Sequence, residues 1–499
     1  MDRPFNVLWI MTDQHRADCL GYMGHPAVQT PYLDQLAAEG IAFENAFCQS
    51  PACMASRAVL LTGRYPDSVR VRGMGVLPPS EITVPEMLKR EGYGTAAFGK
   101  THFTPELYTR EQLHSDVPSL DWREFAEDAC LSPIPDDPNK RNYGYDIHLG
   151  CDDANQGLFQ RWLCERHPDY AASVPRRYEG DETPGDLFIS AYPSHCHQTT
   201  FIAGSCIDYL RSRSGEQPWF AYCSFVAPHH PFEAPLDQIE RYDLDNLPLP
   251  AYKGGADPAF LPPHIAEGVN EMLRYTEPVQ RRIIQHYLAS ISLVDDNIGK
   301  LITTLRDTGQ LERTIIIFNA DHGEFLGNHG LLRKTSVHYD ETLRVPFLLR
   351  LPAQLGAGRR VPGLVELTDI CPTLLGLLGL PKHHGIQGID WSDALHTGKE
   401  IGREDIYADM FDMTPQRFGE ASGPFGAVRT LRTRDWKLNI YPTASRQYGQ
   451  LFDLQHDPDE SHNLYGDPAY RDMREEMLWR LLQRIHCNTD PLPLLLTQW

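Results

Sequence analysis

The sequence predicts an α/β fold with a largely parallel central sheet, and three observations support this prediction. The first is a recurring unit in which a short apolar run gives way abruptly to polar residues. The second is that segments with helical periodicity separate these runs, as connections between parallel strands require. The third is the length of 499 residues with 41% hydrophobic residues, which is enough for two or more lobes around a sizeable core.

Four such units define the predicted strands. The apolar runs are NVLWIM, TAAF, WFAYCSFV and TIIIFNA, and helices are predicted between them at residues 31–39, 84–90, 200–211 and 279–307. Strands of this composition are typical of sheets buried on both faces. Ligands bind outside the carboxyl ends of parallel strands, so we expect the polar residues that follow the runs to share one site.

The residues after the four strands describe a candidate cation site beside a basic cluster. Each of them alone is most simply the start of a solvated loop, but four units together favour a site. The candidate cation ligands are Asp13, Gln14, Asp321 and His322, and the basic cluster is Arg57, Lys100, His102 and His229. Oxygen-rich ligation suits calcium, and one imidazole also admits manganese.

Composition restricts the partners and the compartment. The formal net charge of −21 argues against nucleic acid or an anionic membrane as the main partner. A metal-centred positive pocket would still let such an acidic protein bind a small anionic substrate. No run approaches the roughly 20 apolar residues of a membrane span, and no signal peptide pattern opens the sequence, so a cytoplasmic location is expected. Eleven cysteines without a C-x-x-C pair indicate reduced thiols.

The stretch SPACMASRAVLLTGRYP, residues 50–66, places Cys53 at the start of a predicted helix that Gly63 and Pro66 close. Arg57 follows one turn later on the same side of the helix. A free cysteine is often a small buried hydrophobe. A helix N-terminus beside an arginine, however, favours a thiolate or another anion. The segment alone leaves both interpretations open.

Cys53-Met54-Ala55-Ser56-Arg57, followed by LLTGRYP, resembles the C-x-(P or A)-x-R signature of the sulfatases, a family of the alkaline phosphatase superfamily. Further motifs follow the family's order along nearly the whole chain: MTDQHRADCLGYMG, GKTHF, APHHPF, ADHGEFLGNHGLLRK, RVPFLL and LFDLQHDPDESHNL. The resemblance implies an alkaline-phosphatase-like catalytic domain, residues 1–385. A smaller C-terminal domain, residues 386–499, is expected to hold a short antiparallel sheet and a helix.

In this family the signature cysteine is oxidised to formylglycine by a maturation enzyme, and its hydrated aldehyde attacks a sulfate ester. The resemblance therefore implies that Cys53 is the precursor of the nucleophile. It also implies one divalent ion, Ca²⁺ or Mn²⁺. The ligands carried over from the family are Asp13, Gln14, Asp321, His322 and the modified Cys53.

The resemblance assigns the remaining catalytic roles residue by residue. Arg57 orients the hydrate, and Asp321 takes the proton of the attacking hydroxyl. Lys100 and Lys334 neutralise charge on the sulfuryl oxygens. His229, with Lys334, protonates the leaving oxygen. His102 is the base of the elimination step.

Two departures from the common sulfatase pattern keep an alternative open. Gln14 stands where many sulfatases have a second aspartate, and His322 stands where they have asparagine. Both changes resemble phosphonate monoester and phosphodiester hydrolases, whereas Lys100 and His102 favour sulfate esters. Ala55 replaces the commoner proline of the signature. A non-catalytic binding protein is the third hypothesis, and the filled catalytic positions argue against it.

Other histidines and the chain end lie outside this pattern. The pair His195 and His197 is expected to be surface or substrate-contact residues, and His329 and His338 are expected to be structural. The apolar ending NTDPLPLLLTQW either folds back on its own lobe or docks on a second subunit. The second possibility predicts a homo-oligomer.

Overall fold

A computed structural model describes residues 4–73, 75–103, 143–151, 157–178, 183–213, 215, 217–250, 258–266, 270–411 and 427–492. The strands of the described residues are β1 Asn6–Thr12, β2 Ile41–Phe47, β3 Gly94–Gly99, β4 Ile147–Gly150, β5 Leu187–Ile189, β6 Trp219–Ser224, β7 Phe232–Ala234, β8 Thr314–Ala320, β9 Arg344–Arg350, β10 Arg359–Glu366, β11 Asp405–Phe411, β12 Ala427–Thr433, β13 Trp436–Ile440 and β14 Gly449–Asp453.

Helices of at least four residues connect these strands. They are α1 Pro31–Glu39, α2 Cys53–Thr62, α3 Pro66–Val69, α4 Val84–Arg90, α5 Gly157–Arg166, α6 Gln198–Ser212, α7 Leu236–Ile239, α8 Pro263–Ala266, α9 Glu277–Asp307, α10 Asp340–Leu343, α11 Ile370–Leu377, α12 Ser392–Thr397 and α13 Arg471–Cys487. All four helices predicted from the sequence are present, with bounds that agree to within two residues.

The large sheet has the strand order β10-β2-β9-β8-β1-β6-β3-β4. The five strands β8, β1, β6, β3 and β4 run parallel to one another. Strand β9 is antiparallel to both β8 and β2, so the sheet is mixed but mostly parallel. Every residue of β1, β3, β6 and β8 is buried. Helices therefore cover both faces at the centre of the sheet, as the continuous apolar runs predicted.

A second sheet lies later in the chain. Strands β11, β12, β13 and β14 pair in sequence order and are all antiparallel. Helix α13 packs against β12 and β13 through Met477 and Leu481. The predicted fold class, a mostly parallel large sheet plus a small antiparallel sheet with a helix, is thus confirmed. The domain boundary at residue 385 stays a prediction.

Two further sequence expectations bear on the described residues. All ten cysteines among them are free thiols. In the described part of the chain, none of the helices has both the length and the apolar character that crossing a bilayer requires. The last seven residues of the apolar tail, 493–499, lie outside the described residues, so the docking of the tail stays a prediction.

Candidate active site

The carboxyl ends of four adjacent strands build the site. Strands β8, β1, β6 and β3 are consecutive neighbours in the sheet. Asp321 follows β8, Asp13 follows β1, His229 lies five residues beyond β6, and Lys100 follows β3. The Nζ atom of Lys100 lies 3.2 Å from Oδ2 of Asp13, and neither side chain is exposed. The structure therefore brings together the polar residues that the sequence placed after separate strands.

Helix α2 places Cys53 at the same edge of the sheet. Cys53 is the first residue of the helix, which Gly63 ends in the left-handed conformation at φ 66°, and all ten helical residues are buried. Burial opposes ionisation of the thiol, but the positive charges of Lys334 and His102 lower the pKa of Cys53 well below its usual value. From the sequence, Arg57 was expected to be the cation beside this thiol. In the structure, Lys334 and His102 have the larger effects on the pKa of Cys53.

Arg57 is instead the link between the two aspartates. Its Nε donates to Oδ2 of Asp321 at 2.9 Å, and its Nη2 donates to Oδ2 of Asp13 at 3.0 Å. Its Nη1 donates to the carbonyl of Lys100 at 2.6 Å and to Oγ of Ser224 at 2.9 Å. The planar guanidinium thus holds the ends of β1, β3, β6 and β8 in one arrangement, which a lysine could not do.

The Nζ atom of Lys334 lies among several side-chain atoms that could also bind a metal cation. It donates to Nε2 of His322 at 2.9 Å and to Nε2 of His229 at 3.0 Å. It also lies 3.3 Å from Oε1 of Gln14 and 3.7 Å from Sγ of Cys53. Three candidate ligand atoms, together with Nε2 of His229, therefore surround a single cationic group.

The residues fit a divalent ion. Asp13, Asp321 and His322 form one group of potential ligand atoms within 4.8 Å of one another, and Asp13, Cys53 and His229 form a second. The Oδ1 atom of Asp13 is buried and accepts no hydrogen bond from the described residues. A buried carboxylate oxygen without a partner is costly unless a cation or proton meets it.

The two aspartates have opposite pKa shifts. Burial opposes ionisation of Asp13, but the charges of Lys100, Lys334 and Arg57 outweigh it and lower the pKa of Asp13 well below its usual value. Burial and the neighbouring Asp13 charge raise the pKa of Asp321. Asp13 is therefore the permanent anion of the pair, and Asp321 is the one better suited to hold a proton.

Backbone carbonyls fix the tautomers of two histidines. Nδ1 of His322 lies 2.9 Å from the carbonyl of Gly323, and Nδ1 of His229 contacts the carbonyl of His230 closely. Because a carbonyl only accepts, each Nδ1 carries the proton and each Nε2 keeps its lone pair. Burial, followed by the Lys334 charge, lowers the pKa of His229 well below its usual value. Because Lys334 contacts Nε2 of each histidine and an ammonium only donates, both imidazoles direct a lone pair to the centre of the site.

Comparison with known proteins shows the family of the chain. A family model described as Sulfatase matches residues 5–380, and one described as N-sulphoglucosamine sulphohydrolase, C-terminal, matches residues 327–486. The first match covers about three quarters of the chain. The chain belongs to the sulfatase family. This sulfatase is accordingly a sulfuric ester hydrolase on an alkaline-phosphatase-like fold.

Individual relatives and solved structures include sulfatases and also a phosphonate monoester hydrolase. An arylsulfatase of Clostridium perfringens is 28% identical over 481 residues, with 94% of this chain and 91% of the relative covered. The multifunctional alkaline phosphatase superfamily protein PehA of Trinickia caryophylli is 29% identical, with 95% of each chain covered. The crystal structure of a phosphonate monoester hydrolase of Agrobacterium radiobacter matches with a TM-score of 0.82 and 26% identity, covering 98% of this chain and 97% of the other.

The structure also adds residues to the site of this sulfatase that the sequence analysis did not single out. Ser224 receives a hydrogen bond from Arg57. Glu324, directly after the ADHG motif, accepts a short hydrogen bond from Nε2 of Gln14, and His230 contacts the same nitrogen at 3.2 Å. All three lie within the strand run or motifs that predicted the site, which was the available signal, but their partners are distant in the sequence.

The remaining histidines of the sulfatase have other contacts. His329 stacks on the ring of Tyr339 with centroids 3.7 Å apart, and Nδ1 of His338 lies 2.8 Å from Oγ1 of Thr430. His197 caps α6 by accepting from the Thr199 amide. These contacts are structural and involve none of the residues around Lys334.

Proposed function

We propose that this sulfatase cleaves a sulfate ester with a formylglycine derived from Cys53 and one divalent ion, Ca²⁺ or Mn²⁺. The observation that carries the proposal is the position of Cys53. Its Sγ belongs to one ligand group with Asp13 and His229 and lies 3.7 Å from the Lys334 ammonium. An inert structural thiol has no need of such surroundings, whereas a nucleophile for an anionic ester requires both a metal and cations.

When present, the ion and the formylglycine hydrate would together supply a hydroxyl of lowered pKa as nucleophile. The ligands for the ion would be Asp13, Gln14, Asp321, His322 and the modified Cys53. The raised pKa of Asp321 supports its role as the acceptor of the hydroxyl proton. Arg57 would keep both aspartates in place during this transfer, since it contacts Oδ2 of each.

The cations of the site would stabilise the transition state. Lys100 is fully buried, and Lys334 is partly buried beside the candidate ligand His322, so both can neutralise sulfuryl oxygens. Because His229 is neutral and its Nε2 accepts from Lys334, the pair together would deliver the proton to the leaving oxygen. His102, which faces Cys53, would serve as the base in the elimination of sulfate.

A phosphonate monoester or phosphodiester hydrolase is the second candidate, and specific observations favour it. The phosphonate monoester hydrolase of Agrobacterium radiobacter has a closely similar fold. In addition, the glutamine at position 14 and the histidine at position 322 resemble the pattern of those enzymes more than the common sulfatase pattern. The basic residue Lys100 and the base His102 favour sulfate, because they match the charge and proton acceptance that sulfate elimination needs.

The experiment is a comparison of kcat/KM on three esters that share one aryl leaving group: a sulfate, a phosphodiester and a phosphonate monoester. We expect the sulfate to have the highest kcat/KM. A Cys53→Ala variant is the control for contaminating hydrolases, since it must lose activity on all three. A higher kcat/KM for the phosphonate would replace the proposal with the second candidate.

A further inference from the structure

The side-chain amide of Gln14 lies between two groups of opposite hydrogen-bonding type. Its Nε2 contacts the carboxylate of Glu324, and its Oε1 lies 3.3 Å from the ammonium of Lys334. An ionised carboxylate only accepts hydrogen bonds, and an ammonium only donates them. The two neighbours therefore determine which end of the amide is oxygen. That oxygen points to the side where Lys334 also contacts His322.

Glu324 is itself held in a fixed orientation. The side chain is fully buried, and its Oε1 accepts from the amide of Leu326 at 2.9 Å and from the amide of Arg333 at 2.5 Å. These two backbone bonds occupy one carboxylate oxygen and leave Oε2 for Gln14. Three N–H donors are therefore directed at this one buried carboxyl group, so both of its oxygens serve as acceptors.

We propose that Glu324 is a positioning residue that turns the Gln14 oxygen toward the divalent ion. This inference rests on the proposed function, because it assumes that an ion binds beside Asp13 and His322. An amide oxygen is a good ligand for a hard cation, whereas the NH₂ end has no lone pair to offer. Glu324 thus lets a glutamine act as a ligand at the position where many sulfatases carry a second aspartate.

A purely structural role of Glu324 is the competing explanation, and the variant Glu324→Gln separates the two. The new side chain keeps an oxygen for the amides of Leu326 and Arg333, so the loop retains its hydrogen bonds. Its NH₂ group then faces Gln14 and can only donate. Gln14 must turn its own oxygen toward this NH₂ group, which directs the wrong end of the amide at the ion.

The test is calorimetric titration of the full-length protein with Mn²⁺ and with Ca²⁺ after removal of bound metal by a chelator. We expect Glu324→Gln to raise the Kd for the ion by about 10–100-fold, the usual effect of losing a residue that orients a metal ligand. The double variant Gln14→Glu with Glu324→Gln keeps volume and net charge. Its carboxylate at position 14 accepts from the new NH₂ group and directs an oxygen at the ion, so its Kd should return to within about tenfold of the parent value.

Asp295→Asn is the matched control. Asp295 is also a buried carboxylate that accepts from two backbone amides, those of Tyr32 and Leu33, but it lies on α9 and holds the start of α1, away from the site. The Kd of the Asp295→Asn variant for the ion should equal that of the parent protein. If Glu324→Gln does not fold, as judged by circular dichroism, the double variant alone decides by its Kd against the parent.

The outcomes separate this inference from the proposed function. Parent-like binding by Glu324→Gln, or weak binding by the double variant, would overturn the role of Glu324 while leaving the sulfatase proposal intact. A parent protein that binds neither ion would instead overturn the metal in the proposed function, and this inference with it. Weak binding by the single variant and recovery in the double variant support the proposal.

Discussion

Replacing Arg57 by methionine removes the cation that the two aspartates of the site share. Arg57 is fully buried and donates four hydrogen bonds, two of them to the carboxylates of Asp13 and Asp321. Methionine fills a similar volume but leaves both carboxylates facing each other without their shared partner. Removing one member of a buried ion pair costs about 3–5 kcal/mol, so we expect the free energy of unfolding to fall by that amount.

The same substitution should also lower catalysis in the protein that remains folded. Asp321 loses the donor that fixes its Oδ2, and loss of one such oriented electrostatic contact lowers kcat by about 10²–10³. Arg57→Lys should be intermediate, because an ammonium keeps the charge but cannot reach both carboxylates in the plane of a guanidinium. Denaturant unfolding and kcat on an aryl sulfate are measured for each variant.

Arg350→Met is the matched control for this experiment. Arg350 is also fully buried, and its Nη2 pairs with Glu312 at 2.7 Å, but it lies on β9 outside the site. Its loss should reduce stability while leaving kcat of the folded protein unchanged. An Arg57→Met protein that keeps parental kcat would refute the electrostatic role of Arg57.

Two further predictions concern protons. His229→Asn should lower kcat on an alkyl sulfate by about 10²–10⁴. The loss on a nitrophenyl sulfate should be far smaller, because that leaving group needs no proton. Equal losses of kcat on both esters would contradict a role of His229 in protonating the leaving oxygen. Burial raises the pKa of Asp295 to about 7 from an ordinary 3.8. Because the unfolded carboxyl ionises first, the free energy of unfolding should fall as pH rises from about 4 to about 7, by up to about 4 kcal/mol, and stay lower above that range. The Asp295→Asn variant should lack this contribution, and a stability difference between parent and variant that is flat with pH would contradict it.

The sequence predicted the composition of the site well because parallel strands end at one edge of a sheet. Asp13, Lys100 and Asp321 each follow an apolar run within two residues, so their meeting follows from topology without knowledge of any contact. The helix start at Cys53 was equally visible, from the spacing to Gly63. The order of the strands was not predicted, since local patterns carry no information about which strands are neighbours.

What the sequence could not supply were contacts that depend on side-chain direction. Arg57 was expected beside Cys53 from helical periodicity, but its guanidinium is directed at the two aspartates. Gln14 has φ 62° and His102 has φ 56°, conformations that few non-glycine residues adopt and that no local pattern indicated. The role of Glu324 likewise depends on Gln14, 310 residues away.

Peptide mass spectrometry of Cys53 is the most direct measurement of the central claim. Trypsin releases residues 17–57 as one peptide, which also contains Cys19 and Cys48 as internal controls. After alkylation of protein from a host with a formylglycine-generating enzyme, we predict that Cys19 and Cys48 are alkylated whereas position 53 has the mass of formylglycine. Activity on an aryl sulfate should rise in proportion to the converted fraction. Full activity in protein whose Cys53 is an intact, alkylatable thiol would contradict the account.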